Sequence, residues 1–398
     1  MHARKKDKMQ TIESTLQAIT RHSDALDKEA VKNVLVLYEE KIFNIGDCCV
    51  RFDKIKYFKA FFHNAALDMN FHSENLKYID SLLTNNPHIA GITLKDWDDI
   101  AFEEYDVLIT IMYDEDKLLR FLHGKYGAAL ADGRLPLGVY SMSKVILPPA
   151  DFSNCMFPEN RRMMEVGRIE EPGELYVSDE ERAWADGWLE AKGMKQGEEL
   201  FILLDSTLRK EKLLNPIVYF EFVANLLKRD KARILIFDEA ELGKEDYYRA
   251  WLGDAAMHKL IVSKKMKLRE DICLLASNYT RLVFGPCTGL MHCASSLYNH
   301  FVAKGLPAGQ APLLMVYTGQ YRNLELNAYT WWGHAPLINC LMLKRRASGV
   351  RMELLHDLPE EEKQLNNSLP CSSFTSAMLT DFVGKHIGAR KVKMAVQG

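Results

Sequence analysis

Short, unbroken apolar runs recur along this chain, separated by stretches in which apolar residues return at every third or fourth place. Asn33-Val-Leu-Val-Leu-Tyr38 is the first such run and reads as a buried strand. The loop Glu39–Asp47 and a helix through Val50, Ile55, Phe58 and Phe62 follow it. Leu67–Phe71 is a second strand. Asn75–Thr84 is helical, with Leu76, Ile79, Leu82 and Leu83 on one face. Asp106–Met112 and Gly138–Ser141 are a third and a fourth strand, and a helix over Thr11–Arg21 precedes the set. Strands that are apolar throughout, rather than at alternate places, are covered on both faces. Alternating with helices, they predict an α/β protein built on a parallel sheet.

Between about Pro148 and Gly173 the pattern breaks and no period is visible, which predicts a linker or substrate loop. A second set opens at Ser178, where Glu181 three places on fits a capping box for a helix to Lys192. Leu200–Leu204, Arg233–Phe237, Lys259–Val262, Leu282–Phe284 and Pro312–Tyr317 read as strands. Helices over Phe220–Leu227, Glu245–Leu252 and Leu268–Ser277 stand between them. Beyond Lys344 the chain is polar until Phe374–Ile387, where helical spacing returns. The expected division is a Rossmann-like domain over 1–165, a second over 174–345, and a tail over 346–398. Ligands in such sheets lie at the carboxyl ends of strands. The loops after Tyr38, Leu204, Phe237 and Phe284 therefore line the expected cleft between the two halves.

One segment combines several signals. In Thr280-Arg-Leu-Val-Phe-Gly-Pro-Cys-Thr-Gly-Leu-Met-His292 a strand ends at Gly285-Pro286, and Thr288-Gly289 opens a helix through Met291, Ala294 and Leu297. The first N–H groups of a helix have no intrahelical acceptor, and the helix dipole adds to them, so this is a seat for an anion, phosphate above all.

Composition narrows the function. A chain of 398 residues with 47% hydrophobic and 26% charged residues is an ordinary globular protein of two domains. No run is long and apolar enough for a membrane span, and the basic start Met1-His-Ala-Arg-Lys-Lys-Asp-Lys8 lacks the apolar centre of a signal peptide. The expectation is a cytoplasmic protein. The basic start is a candidate for peripheral contact with an anionic inner-membrane surface, and a solvated, frayed end is the plainer reading. A net charge of −3 argues against nucleic acid as a partner. The eight cysteines show no ligand spacing, so buried free thiols are expected, with no metal site.

Asp47, in the loop after the first strand, is a candidate base; the plainer reading is a helix cap. Ser206 and Thr207 can bind phosphate oxygens, and Arg209, Lys210 or Lys212 can neutralise a diphosphate, unless this is only a solvated basic loop. Glu239, in the cluster Asp238-Glu-Ala-Glu241, can accept from both hydroxyls of a ribose; an acidic helix start reads equally well. His292 is a ligand contact or a satisfied packing residue. Cys287 and Cys293 have no partnered base in the sequence. Trp331-Trp332 can stack on a base or sugar, with core packing the safer reading.

Together these positions resemble glycosyltransferase family 9, the group typified by ADP-heptose:lipopolysaccharide heptosyltransferases. The likeness spans about Lys32 to Gly319. It rests on Gly46-Asp47; on Ser206, Thr207, Lys212 and Pro216; and on Gly285-Pro-Cys-Thr-Gly-Leu-Met-His292 with Gly319 closing the next strand. The resemblance implies a GT-B fold and metal-independent, inverting transfer of a sugar, a heptose or another hexose-like sugar. The donor is a nucleotide sugar of the ADP-sugar kind, a substrate rather than a cofactor, and the acceptor is a bacterial surface glycan or lipopolysaccharide. It makes Asp47 the base and gives the diphosphate to Lys212 and the Thr288-Gly289-Leu290 backbone. It places Glu239 on the ribose and carries the last helix back to the first domain. Cys287 stands where the family keeps an aspartate, and Lys210 competes with Lys212 for the family's lysine place. A catalytically degenerate protein that binds a nucleotide or partner without transfer is the alternative, and a nucleotide-sugar epimerase ranks last.

Overall fold

The computed structural model describes residues 2–39, 44–71, 78–147, 154–163, 172–207, 209–320, 328–365 and 367–397, and at 2–11, 50, 53 and 388–397 it describes the backbone alone. The start of the helix expected at Asn75, most of the expected linker, and the side chains of the basic N-terminal run lie outside the described residues.

The chain forms two compact units. The first comprises 1–43, 51–80 and 86–170. Its sheet has five parallel strands: β1 (Asn33–Glu39), β2 (Ala66–Phe71), β3 (Gly91–Thr93), β4 (Val107–Met112) and β5 (Gly138–Ser141), in the order β3-β2-β1-β4-β5. Val34 to Tyr38 are all buried, as are Val107 to Met112, which is why these runs are apolar without alternation. Helix α3 (Ile55–Phe61) precedes β2; helix α1 (His2–Asp24) and helix α4 (Glu115–Ala131) pack on each other, and Ile19 of one with Leu118, Leu119 and Leu122 of the other fills a core with Leu35, Leu37 and Leu108. Glu115 is fully buried and fully used. It accepts from Thr110 Oγ1 at 2.8 Å and from Ser143 Oγ, Ser141 Oγ and the N–H groups of Met156 and Phe157. One carboxylate thus fixes the carboxyl ends of β4 and β5 to the chain that follows them.

The second unit comprises 44–50, 81–85 and 171–398. It holds seven strands: β6 (Glu199–Leu203), β7 (Ala232–Asp238), β8 (Leu260–Lys264), β9 (Thr280–Pro286), β10 (Leu313–Tyr317), β11 (Ile338–Arg346) and β12 (Gly349–Leu354). Their order is β12-β11-β10-β9-β6-β7-β8, and only the β11–β12 pair is antiparallel. The sequence pattern locates β6 to β10. The hairpin of β11 and β12 falls partly in the stretch taken as a polar tail, because β12 has only exposed and half-buried places instead of an apolar run.

Helix α5 (Asp179–Ala191) starts at the expected capping box: Ser178 Oγ accepts from Glu181 N at 3.2 Å and Glu181 Oε2 from Ser178 N at 3.0 Å. Helix α6 (Pro216–Leu227) starts with Pro216, with Asn215 Oδ1 accepting from Ile217 N at 2.9 Å. Helices α7 (Lys244–Leu252), α8 (Leu268–Leu275) and α9 (Gly289–Ala303) follow β7, β8 and β9. The last helix, α11 (Ser376–Gln397), comes after the short α10 (Ala328–Trp332). Leu379, Phe382, Val383 and Ile387 of α11 enter one core with Phe220, Phe222 and Val223 of α6, so this apolar face packs within the second unit. No described helix is long and apolar enough to cross a membrane.

In the second sheet the chain runs outward from β6 to β7 and β8, then returns to the other side of β6 as β9. The strand order therefore reverses between β6 and β9, and the carboxyl ends of those two strands mark the switch point of the sheet. That is where an open α/β sheet offers room for a ligand.

Candidate functional site

The loops after β6 and β9 are forced together at this reversal. Leu204 N donates to Phe284 O at 2.8 Å, and a Cβ on Gly285 would stand 2.5 Å from Leu204 O. Only a glycine lets the two strand ends approach so closely. Beyond them, Lys212 reaches back and its Nζ donates to Cys287 O at 2.9 Å. That contact places an ammonium at the turn that leads into α9.

Thr288 is the N-cap residue of α9, yet its side chain makes no capping bond. Its Oγ1 is buried and has no hydrogen-bond partner. A buried hydroxyl beside the first turn of a fifteen-residue helix, with the N–H groups of Gly289, Leu290 and Met291 having no acceptor inside the helix, is a set of donors that an anion could satisfy.

A short element covers this helix end. Helix α2 (Ile45–Arg51) lies against it: a Cβ on Gly289 would meet Ile45 Cβ at 2.9 Å, and one on Gly46 would meet the His292 ring at 2.8 Å. Cys49 Sγ and Cys293 Sγ are 3.6 Å apart in the same contact. The cysteines are all free thiols, Cys155 half-buried and the others buried. Asp47 sits in the first turn of α2, not at its cap, with Asn44 Nδ2 donating to its Oδ2 at 3.0 Å. It follows Gly46, which packs against the His292 ring, and its negative charge helps to raise the Cys287 pKa.

His292 is buried and stacks on Trp332 at 4.1 Å and 8°, with Nε2 3.6 Å from Cys287 Sγ. Burial and, second, the nearby Lys212 charge hold its pKa down at about 3. Burial pushes the Cys287 thiol up, with the Asp47 charge acting in the same direction and Lys212 and Trp332 against it. At neutral pH both groups are therefore uncharged, and the pair is not a thiolate–imidazolium couple of the kind that does nucleophilic chemistry. Trp332, only 1% exposed, is a core residue.

Lys212, Thr288, Gly289, Leu290 and His292 thus gather at the start of α9, and α2, which carries Asp47, packs against the same end. Ser206 and Thr207 stand at the adjoining end of β6. Ser206 Oγ accepts from Lys244 Nζ at 2.7 Å, and Thr207 Oγ1 from Arg209 N at 3.4 Å. Glu239 is exposed in the turn after β7, while its neighbour Asp238 is buried and caps that turn through Leu242 N and Lys244 N. Asp205 and Lys244, whose side chains meet at 2.6 Å, are not among the residues that the sequence pattern singles out. The signal was present: opposite charges follow two neighbouring apolar runs, one beyond each strand's carboxyl end.

No family model matches the chain, and no curated protein matches it in sequence. Among solved structures, an ADP-heptose lipopolysaccharide heptosyltransferase II from E. coli superposes with a TM-score of 0.58 at 12% identity, over 90% of this chain and 100% of that one. A glycosyl transferase family 9 structure from Veillonella parvula also gives 0.58 at 12% identity, over 92% and 99%. The class that the two sheets define is accordingly the GT-B fold. Within it, the particular architecture is that of the heptosyltransferase-like structures, matched over nearly the whole of both chains.

Proposed function

We propose that this protein is a glycosyltransferase that moves a heptose or another hexose-like sugar from a nucleoside-diphosphate donor to a hydroxyl of a bacterial surface glycan or lipopolysaccharide. The observation that carries the reading is the buried, unpartnered Thr288 hydroxyl at the start of α9, beside the Lys212 ammonium and at the strand-order reversal. A diphosphate satisfies that hydroxyl, the first-turn N–H groups and the ammonium together.

In the proposed reaction Asp47 takes the proton of the acceptor hydroxyl. The freed oxygen attacks the anomeric carbon as the bond from that carbon to the diphosphate oxygen breaks, and the sugar is transferred with inversion. The electron pair leaves with the diphosphate, whose growing charge meets donors fixed in advance, so no metal ion is required. Glu239 is assigned to the ribose. The donor is a nucleotide sugar, with ADP-heptose, the substrate named for the E. coli relative in fold, as the first to test.

Nucleotide-sugar turnover is followed by mass spectrometry with a panel of donors and acceptors. Asp47→Ala is expected to lose about a hundredfold or more in transfer while holding donor with little change, the ordinary size of a general-base contribution. Lys212→Ala is expected to weaken donor binding. Unchanged turnover in Asp47→Ala removes it as the base. Nucleotide binding without transfer for any pair would instead establish the catalytically degenerate reading, which the uncharged Cys287 thiol favours.

A further inference from the structure

Lys244 opens α7, yet its side chain turns back across the ends of two strands and is only 12% exposed. Its Nζ donates to Asp205 Oδ1 at 2.6 Å, to Ser206 Oγ at 2.7 Å and to Phe237 O at 2.5 Å. The first two acceptors follow β6 and the third lies at the end of β7. Asp205 is held from its other side by Tyr248 OH at 2.8 Å, and Tyr248 in turn meets Tyr219 OH. Burial keeps both phenols protonated, so each has a proton to donate. Among the described residues the three ammonium protons of Lys244 and both phenol protons have close acceptors, whereas the Ser206 proton finds only a long contact of 3.4 Å to Asp205 Oδ1.

We infer that Lys244 is a positioning residue for the diphosphate: its ammonium occupies a lone pair of Ser206 Oγ and turns the hydroxyl proton outward as a strengthened donor to a phosphate oxygen. The inference rests on the reading of this site as a nucleotide-sugar site. Its physical basis is the polarisation of one hydrogen bond by the next. A hydroxyl that accepts from a cation cannot offer that lone pair elsewhere and gives up its proton more readily. Because the same ammonium holds Phe237 O, it also ties the loop bearing Ser206 and Thr207 to the turn bearing Glu239. Phosphate and ribose contacts are then set by one side chain.

The test must avoid stranding the Asp205 charge. Asp205→Asn keeps an acceptor for Tyr248 and removes the carboxylate, so Lys244→Met placed on that background leaves no buried unpaired charge. ADP and UDP are titrated by calorimetry into the full chain and into its Asp205→Asn, Lys244→Met double variant, each with and without Ser206→Ala. Where Lys244 is kept, Ser206→Ala is expected to cost about tenfold in affinity, the size of a charge-assisted hydrogen bond. Where Lys244→Met is present, Ser206→Ala is expected to cost less than about twofold. Lys244→Arg is expected to recover most of the loss. An equal cost of Ser206→Ala on both backgrounds, or unchanged affinity in Lys244→Met, overturns the inference. A parent chain that binds neither ADP nor UDP overturns the site reading itself, a result visible before any variant is made.

Discussion

His292 carries a cost that varies with pH. The unfolded chain takes up a proton on this imidazole near its ordinary value of 6.5, whereas the folded protein resists until about 3. Between those values the unfolded state binds more protons, so stability falls as pH drops from about 6.5 towards 3 and is undiminished above that window. At pH 5 the loss from this one residue is about 2 kcal/mol. His292→Gln keeps a planar polar group over Trp332 but cannot titrate. Its urea midpoint is expected to change less between pH 7 and pH 4.5 than that of the parent, and parallel curves would contradict the assignment. The sequence located His292 beside an anion seat but left open whether it was a contact or a packing residue. Its stacking on Trp332 comes from a helix well downstream in the chain, and no local pattern encodes that. Cys287 was equally opaque: its departure from the family pattern is plain in the sequence, while its burial against His292 and under Lys212 is a tertiary fact.

The contact between α2 and the first turn of α9 is the element that shapes the site. Gly289 has no Cβ because Ile45, branched and stiff at its own Cβ, fills that space at 2.9 Å. Gly289→Ala is expected to cost about 1–3 kcal/mol in stability, the range for overfilled contacts, despite alanine's better helix propensity. Ile45→Ala on top of it is expected to return part of the loss, measured as recovery of the denaturant midpoint; a double variant weaker than the sum of the singles would refute the contact. Elements of this sort divide by how well their sequences announce them. β1, β4, β6, β7, β9 and β10 are apolar throughout most of their length and are found from pattern alone. β3 is three half-buried residues, Gly91–Thr93, too short for any period to show. The helix α4 opens with Glu115, a fully buried charge, where a reading by polarity expects solvent. Asp47 was expected in a loop or at a cap, and it lies inside α2 because Asn44, three places earlier, takes the position before the helix.

At the scale of the molecule, the boundaries drawn from the sequence give continuous pieces, 1–165, 174–345 and 346–398, whereas the second unit takes 44–50 and 81–85 from the first of them. These are not loose insertions. Arg269, on α8, donates to Ser81 O at 3.0 Å while gripping Glu181 at 2.6 Å and Tyr176 O at 2.7 Å, and Asn85 Nδ2 reaches Glu181 Oε2 at 2.8 Å. A fragment of residues 172–398 would expose the Ile45 and Cys49 contacts on α9 and leave Arg269 short of an acceptor. It is expected to melt well below the full chain and to bind ADP more weakly. Addition of a peptide spanning 40–54 is expected to raise its melting temperature, and a fragment as stable as the full chain would contradict the arrangement. A single pass along the sequence cannot find such borrowing, since each borrowed piece continues the periodicity of its neighbours.

This borrowing also sets a timetable. A ribosome makes Asp47 early, but the turn and helix that give it a place, Cys287 onward, are made in the far half of the chain. At roughly 5–20 residues per second the gap is on the order of ten to fifty seconds. During that time the nascent polypeptide gains the remaining strands of its first sheet but lacks the turn and helix against which α2 packs. Under the proposed chemistry an incomplete product of synthesis is expected neither to trap nor to turn over nucleotide sugar, and competence arrives only when the chain is nearly finished.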